Sequence, residues 1–417
     1  MSGWLQCDQC GNRFDLFAPI TRCRACQGLL AVVRDDPSAE VAARFADRAG
    51  DLNPLRRSGV WRFRELVFPE MRNEDIVSFP EGNTPVVRRE RIATWAGCHR
   101  LVLKHEGMNP TGSFKDRGMT VAVSHARRLG MRGVACASTG NTSASLAAYA
   151  AQAGMTGVVL IPAGKTALGK LAQTVAYGAT ILAVRGDFDA CLTLVDQASQ
   201  RLGLYLVNSI NPFRLAGQKS IVFELLEDLG WRAPAWIVLP AGNLGNTSAF
   251  GAALVQAKEL GLIDRIPRLA AIQAEGAAPF AHSFREDFAT RYQVEAETIA
   301  TAIRIGNPAS HHRAVAAMRA TRGVVTTATD AEILEAKRII DRAGVGCEPA
   351  SAASVAGVRR LVAEGVIGPD EDVAAILTGN ILKDPEILLQ NQRTDIREVD
   401  PTLASIEAAL GERRAEV

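Results

Sequence analysis

The run Trp236-Ile-Val-Leu-Pro-Ala-Gly-Asn-Leu-Gly-Asn246 decides the fold. Its first five residues, Trp236–Pro240, carry no polar interruption and read as a strand buried on both faces. A turn with two glycines follows, and a helical stretch runs from Asn246 to Leu260. Two glycines let the backbone wrap closely around an anion with a helix N-terminus behind it. Gly242, Asn243, Leu244, Gly245 and Asn246 are therefore candidates for holding a phosphate. The spacing is not G-x-G-x-x-G, so a dinucleotide is not expected.

The same alternation extends outward in both directions. Strands are expected at Leu101–Lys104, Gly133–Ala137, Gly157–Ile161, Thr180–Val184, Leu204–Val207, Leu269–Ala274, Gly323–Thr327 and Val373–Thr378. Helices are expected at Phe114–Leu129, Thr142–Ala153, Phe188–Leu202, Leu215–Leu229 and Ala331–Ala343. Strand and helix in turn make parallel βαβ units, so the fold class is α/β with helices on both faces of the sheet. A further helix is expected from Ala39 to Arg48 after a turn at Asp35–Pro37, and a last one from Asp400 with Pro401 at its start.

Composition excludes several classes of function. Of 417 residues, 47% are hydrophobic and 22% charged, which is ordinary globular material. A net charge of +2 and 6% aromatic residues give no reason to expect nucleic acid or a membrane surface as a partner. Apolar runs such as Trp236–Leu239 fall far short of the roughly 20 residues of a membrane span. Met1–Cys10 shows neither a basic segment nor an apolar core, so no signal peptide and a cytoplasmic location are expected. Cys98, Cys136, Cys191 and Cys347 are scattered singly and read as small buried hydrophobes.

The other cysteines are grouped. Cys7-Asp-Gln-Cys10-Gly and Cys23-Arg-Ala-Cys26-Gln form C-x2-C-x12-C-x2-C. Each C-x-x-C loop can offer two thiolates to one ion, and two loops complete a tetrahedral zinc site. With all four positions filled by cysteine, no position remains for water, so the metal is expected to be structural. Two unrelated redox or structural pairs are the other reading.

Lys115 stands out within Glu106-Gly-Met-Asn-Pro-Thr-Gly-Ser-Phe-Lys-Asp-Arg-Gly-Met119. Asn109–Gly112 signals a turn and Ser113 is a candidate N-cap, which puts Lys115 in the first turn of a helix. Cations are disfavoured there by the macrodipole. A Schiff base accounts for the choice, because a helix N-terminus favours the neutral amine that attacks a carbonyl. A lone lysine would more simply be an exposed cation paired with Asp116. Three other loops argue for the Schiff base. Ser138-Thr-Gly-Asn-Thr-Ser143 links a strand to a helix and suits a carboxylate. Gly242–Asn246 suits a phosphate, and Thr378–Pro385 follows a third apolar strand. All lie beyond strand ends, where open α/β sheets bind ligands.

These motifs together resemble the threonine synthase family, within the fold type II (tryptophan synthase β-like) pyridoxal-phosphate enzymes. Glu106–Met119, Ser138–Ser143, Asn208–Lys219 (NSINPFRLAGQK), Pro240–Asn246 and Leu377–Pro385 read as family motifs in family order, across roughly residues 80 to 390. The resemblance implies two parallel-sheet three-layer domains behind a zinc ribbon over residues 1–35. The large domain would span 36–124 and 210–400, the small one 125–209, and a C-terminal tail 401–417.

The resemblance also implies roles. Lys115 would hold pyridoxal 5'-phosphate and shuttle protons at substrate carbons, with Phe114 packed beside the cofactor. Asn141 would bond the pyridine 3-oxygen, and Thr378 would face the ring nitrogen. Gly242, Asn243, Leu244, Gly245 and Asn246 would hold the cofactor phosphate. Ser138, Thr139, Asn141 and Thr142 would hold the substrate carboxylate. Asn208, Ser209 and Arg214 would bind the substrate phosphate, for which a guanidinium fork is apt. The implied reaction is O-phospho-L-homoserine plus water giving L-threonine and phosphate. One departure is plain: the family often has His and Gly where this chain has Asn380 and Ile381. Rivals are a cysteate synthase-like enzyme using phosphoserine and sulfite, a serine/threonine ammonia-lyase, and a silent homologue acting as a binding module. A homodimer is the expected assembly, closed pairs being the commonest.

Overall fold

The computed structural model describes residues 3–34, 41–164, 168–387 and 398–413. They fall into two compact units, Met1–Lys383 and Asp384–Val417. All candidate site residues lie in the first unit. Among the described residues, no helix is long and apolar enough to cross a membrane.

Three sheets build the first unit. β1 (Gly3–Cys7), β2 (Arg13–Asp15) and β3 (Leu30–Arg34) make a small antiparallel sheet in the order β2-β1-β3. Next come β4 (Val86–Val87), β5 (Leu101–His105), β6 (Gly133–Ala137), β7 (Thr156–Pro162) and β8 (Thr180–Val184). β9 (Leu204–Leu206), β10 (Trp236–Pro240), β11 (Arg268–Ala274), β12 (Val324–Ala328) and β13 (Val373–Leu377) complete the set. One sheet runs β12-β11-β10-β13-β5-β4, parallel except for β4, and the other runs β8-β7-β6-β9, wholly parallel. The α/β reading therefore holds.

Topology decides which loops meet. β13 comes last in the chain, yet it inserts between β10 and β5, pairing Val373 with Trp236 and Leu101. Because the three strands are parallel, the loops opening after His105, Pro240 and Leu377 share one edge. β10 and β13 are buried at every residue, as uninterrupted apolar strands require. β8 is different. It lies at a sheet edge with three of its five residues exposed, so its apolar sequence did not imply burial.

Two glycines set the position of Arg214. Helix Lys115–Arg128 crosses helix Pro212–Gln218 at backbone contact. A Cβ on Gly217 would fall 2.1 Å from the Arg117 carbonyl oxygen, and one on Gly118 would fall 2.8 Å from that of Arg214. No larger residue permits that approach. The helix expected over Leu215–Leu229 is really two, Pro212–Gln218 and Ser220–Asp228, meeting at Lys219. It starts early because Asn211 caps it, accepting from the Phe213 and Arg214 amides at 3.0 and 3.3 Å.

The helix expected at Ala39–Arg48 spans Val41–Ala49, and the Asp35–Pro37 turn lies outside the described residues. The last helix, Leu403–Arg413, begins beyond Pro401, with the Thr402 hydroxyl accepting from the Ser405 amide at 3.3 Å. Cys98, Cys136, Cys191 and Cys347 are all buried thiols.

Candidate active site

Lys115 is the first residue of its helix, and its ammonium sits 4.1 Å from the centre of the Phe114 ring. Asp116 does not serve as its counter-ion. One Asp116 oxygen accepts the Thr111 amide at 2.7 Å, and the other accepts the hydroxyls of Thr111 and Ser145, each at 2.6 Å. Ser113 does not cap the helix either. Phe114 occupies that position, while Ser113 bridges to Gly379 and its buried hydroxyl has no partner. Burial pushes the Lys115 amine down to about 7, the Arg214 charge pushes the same way, and Glu348 opposes them. A lysine with that proton affinity is a competent nucleophile and base near neutrality.

Thr378, at the end of β13, meets this lysine loop directly. Its carbonyl accepts the Phe114 amide at 3.0 Å. Its hydroxyl lies 3.0 Å from that of Ser351 and 3.4 Å from a Glu348 oxygen. Asn380 donates its amide N–H to the Gly112 carbonyl at 2.9 Å and its side chain to the Gly107 carbonyl at 3.3 Å. Ile381 packs onto Gly346, whose added Cβ would lie 3.2 Å from it. Of the two residues that depart from the family pattern, Asn380 thus fastens the β13 loop to the lysine loop, and Ile381 fastens it to the segment before Glu348.

Ser138, Thr139, Asn141 and Thr142 are half-buried where β6 gives way to helix Asn141–Ala153. The Ser138 hydroxyl accepts the Gly140 amide at 3.3 Å, and Asn141 donates to Glu348 at 2.9 Å. Asn208 is committed to the backbone. Its amide accepts from the Ala137 N–H at 3.1 Å and donates to the Ala137 carbonyl at 3.0 Å. It stitches the end of β6 and supports Ser138 from behind.

The glycine loop after β10 is built by close approach. Leu244 takes the left-handed region at φ 63° and caps the helix that starts at Gly245. A Cβ on Gly242 would fall 2.9 Å from the Ile303 Cα. Asn243 donates to the Ser209 hydroxyl at 2.6 Å and accepts from the Ala309 amide at 2.6 Å. Buried hydroxyls of Thr247 and Ser310, and the side-chain oxygen of Asn246, have no hydrogen-bond partner. The two hydroxyls can donate to an anion at a helix start, and the amide oxygen can accept from its water shell.

Arg214 is buried completely, and it donates one bond, from Nη1 to the Val207 carbonyl at 3.0 Å. Its Nε and Nη2 are buried without partners. Burial pushes its proton affinity down to about 10, so it stays charged at neutral pH. A buried guanidinium with two idle donors is costly, and an anion relieves that cost.

Two contributors escaped the sequence reading, Glu348 and Ser351. Neither meets its partners within a local stretch, Ser351 lying 27 positions from Thr378 and Glu348 207 from Asn141, and the Glu348-Pro349 dipeptide reads locally as an ordinary helix start. Also missed was a buried ion network under the lysine loop. Arg117 grips Glu106 with two bonds of 2.7 and 2.8 Å and reaches Glu224 at 2.6 Å, while Lys104 reaches Glu224 at 2.8 Å.

The sulfurs of Cys7, Cys10, Cys23 and Cys26 all lie within 4.8 Å of one another. Gly11, at φ 72°, donates its N–H to the Cys7 carbonyl at 3.0 Å, the tight turn of a metal knuckle. Gly28 leaves room for the cluster, since its Cβ would fall 2.9 Å from the Cys7 sulfur. Four converging thiols fit one tetrahedral soft-metal ion.

Comparison with known proteins agrees with this geometry. Residues 77–379 match the family described as pyridoxal-phosphate dependent enzyme. A threonine synthase from Methanosarcina acetivorans is 46% identical over 389 residues, 92% of this chain and 93% of that protein. One from Mycobacterium leprae is 49% identical over 317 residues, 76% of this chain and 86% of that protein. Among solved structures, threonine synthase from Escherichia coli superposes with a TM-score of 0.71 at 21% identity, covering 97% of this chain and 94% of that one, which is a likeness of fold. With its lysine loop and glycine loop on one sheet edge, a buried arginine on the helix that crosses the lysine helix, and relatives this similar along most of its length, the chain belongs to the threonine synthase family of pyridoxal-phosphate dependent enzymes.

Proposed function

We propose that this chain converts O-phospho-L-homoserine and water into L-threonine and phosphate, with the residue roles set out below. One observation carries the reading: Arg214, fully buried with two idle donors, is close enough to depress Lys115. A phosphorylated substrate supplies the dianion that this guanidinium lacks. Pyridoxal phosphate, when bound, supplies an electron sink for charge left on the substrate carbons. Lys115 would hold it, with Phe114 against it, Asn141 on the ring oxygen and Thr378 facing the ring nitrogen. Gly242, Asn243, Leu244, Gly245 and Asn246 would hold its phosphate.

The chain's own groups then divide the work. Ser138, Thr139, Asn141 and Thr142 orient the substrate carboxylate at the helix start. Ser209 and Arg214 receive the substrate phosphate and steady it as it departs, with Asn208 bracing the strand end behind them. Lys115, near its midpoint at neutral pH, takes a proton from one substrate carbon and returns one to another. Zinc in the four-cysteine cluster holds the ribbon and takes no part in the chemistry. A cytoplasmic homodimer with a small domain over 125–209 belongs to the same reading.

Arg214 favours this reaction over a serine/threonine ammonia-lyase, whose substrates carry no phosphate. The separating experiment is phosphate release from phosphohomoserine and from phosphoserine with sulfite, with products identified. Threonine from the first substrate is expected. Arg214→Met should lower kcat/KM by roughly 100-fold, as loss of a charge-assisted pair implies. Cysteate from phosphoserine, with no threonine, would replace this reading by its rival.

A further inference from the structure

We propose that Glu348 is a positioning residue, whose carboxylate locks Asn141 and Thr378 into one frame. The proposal rests on the reaction and residue roles proposed above and adds a residue to them.

The acid sits at the start of helix Pro349–Ala363, yet it makes no capping bond to that helix. An acidic side chain at that point ordinarily bonds its own helix amides. Here it reaches away. One oxygen accepts the Asn141 side-chain N–H at 2.9 Å, across 207 positions of sequence. The other lies 3.4 Å from the Thr378 hydroxyl, which donates to it. Its backbone N–H donates to the Gly379 carbonyl at 3.1 Å, and the Gly379 N–H donates to the Ser351 hydroxyl at 2.8 Å. The residue is 2% exposed. Gly379 makes the arrangement possible, for a Cβ there would fall 2.4 Å from the carboxylate carbon. One carboxylate thus ties the loop after β6, in the four-stranded sheet, to the loop after β13, in the six-stranded sheet.

The chemistry of that tie is directional. A carboxylate accepts only, so Asn141 must present its nitrogen to Glu348, which fixes the amide against flipping. One amide hydrogen is spent on Glu348, and the second remains for an anionic acceptor such as a ring oxygen. The cations that feel the charge of Glu348 are Lys115 at the start of the lysine helix and Lys383 beyond β13, which are also acted on by Arg214 and by Asp116 respectively. In the segment leading to Glu348, His105 meets the Val345 carbonyl and the Lys337–Asp341 pair adjoins Cys347. Glu348 favours the protonated form of Lys115, against Arg214 and burial.

The test compares wild type with Glu348→Gln, Glu348→Asp, Asn141→Ala and the Glu348→Gln/Asn141→Ala double variant. Affinity of the cofactor-free protein for pyridoxal phosphate, the pH midpoint of the bound-cofactor absorbance, thermal melting and steady-state kinetics are measured. Glu348→Gln should melt within a few degrees of wild type, bind cofactor about tenfold more weakly, and titrate at lower pH. Its kcat should fall at least about tenfold while KM changes by less, because Glu348 reaches the substrate carboxylate only through Asn141. Glu348→Asp should recover part of each loss. In the double variant the two affinity losses should not add, since the residues act as one unit. Additive losses, a wild-type titration midpoint in Glu348→Gln, or a rise in KM at unchanged kcat would each overturn the proposal. If Glu348→Gln fails to fold, Glu348→Asp and Asn141→Ala decide by the same affinity and titration readings. Cofactor affinity and titration need no substrate, so they score Glu348 even if phosphohomoserine proves not to be the substrate.

Discussion

Lys115 sits where two forces act against its charge. The helix macrodipole opposes a cation at the first position, and burial opposes one anywhere. Arg214, brought within electrostatic reach by the Gly118–Gly217 crossing, adds a third. In the cofactor-free protein, capture of pyridoxal phosphate should therefore rise as pH passes through about 7, where an ordinary lysine would need about 10.5. The sign follows from the neutral amine being the reactive form: it dominates above the midpoint and is scarce below it. Arg214→Met removes a repelling charge, so the midpoint should move upward. Stopped-flow absorbance across pH checks both statements, and an unshifted midpoint in Arg214→Met would show that burial alone depresses the lysine. At this scale the sequence was readable where chemistry and local position clashed, as at Lys115. Glu348 gave no such clash, because its side-chain partners lie 30 and 207 positions away and its neighbours are those of any helix start.

Between residue and molecule, the lysine loop depends on what lies beneath it. Arg117, two residues after Lys115, is fully buried with Glu106, Glu224, Lys104 and Thr84 around it. Removing one member leaves the others charged and dry. Arg117→Met should destabilise the protein by about 3–5 kcal/mol, read as a lower urea midpoint. Both the strand holding Lys104 and the helix start holding Lys115 should loosen together, visible as faster amide exchange in β5 and helix Lys115–Arg128. Strands and helices here were legible because buried parallel strands must be continuously apolar. The break at Lys219 and the early start at Pro212 were not, since a cap such as Asn211 is recognised only once its side chain is seen to accept.

Across the whole molecule, the ribbon is fastened to the body rather than left as an appendage. The His125 Nε2–H donates to the Leu16 carbonyl at 3.2 Å, which leaves Nδ1 to accept the Tyr205 hydroxyl at 2.8 Å. Burial pushes that imidazole down to about 3, so it stays neutral across the working range. Its ring stacks on Phe213 at 3.7 Å and on Phe17 of the ribbon at 5.8 Å. Asp8 of the ribbon pairs with Arg313. Zinc at one ion per chain is expected by elemental analysis. Its removal by a chelator should lower Tm by about 5 °C or more, because ribbon folding energy is metal-binding energy. The cofactor absorbance of the still-folded protein should be unchanged, and a lost band on mild chelation would mean that the ion acts on the active site.

The residues alone determined the α/β class, the four-cysteine cluster and the loops at which strands hand over to helices. Each of these follows from a short-range rule: continuous apolarity for buried strands, paired thiols for a soft ion, glycines and caps where a strand hands over to a helix. Tertiary structure decided which of those loops share an edge, because β13 slips between β10 and β5 despite coming last. It alone brought Arg214 against the lysine helix through two glycines. It also turned Asn208 toward the Ala137 backbone and set Glu348 between Asn141 and Thr378. Pairings made between residues far apart in the chain depend on strand order and backbone approach, and neither is written in any local stretch of the chain.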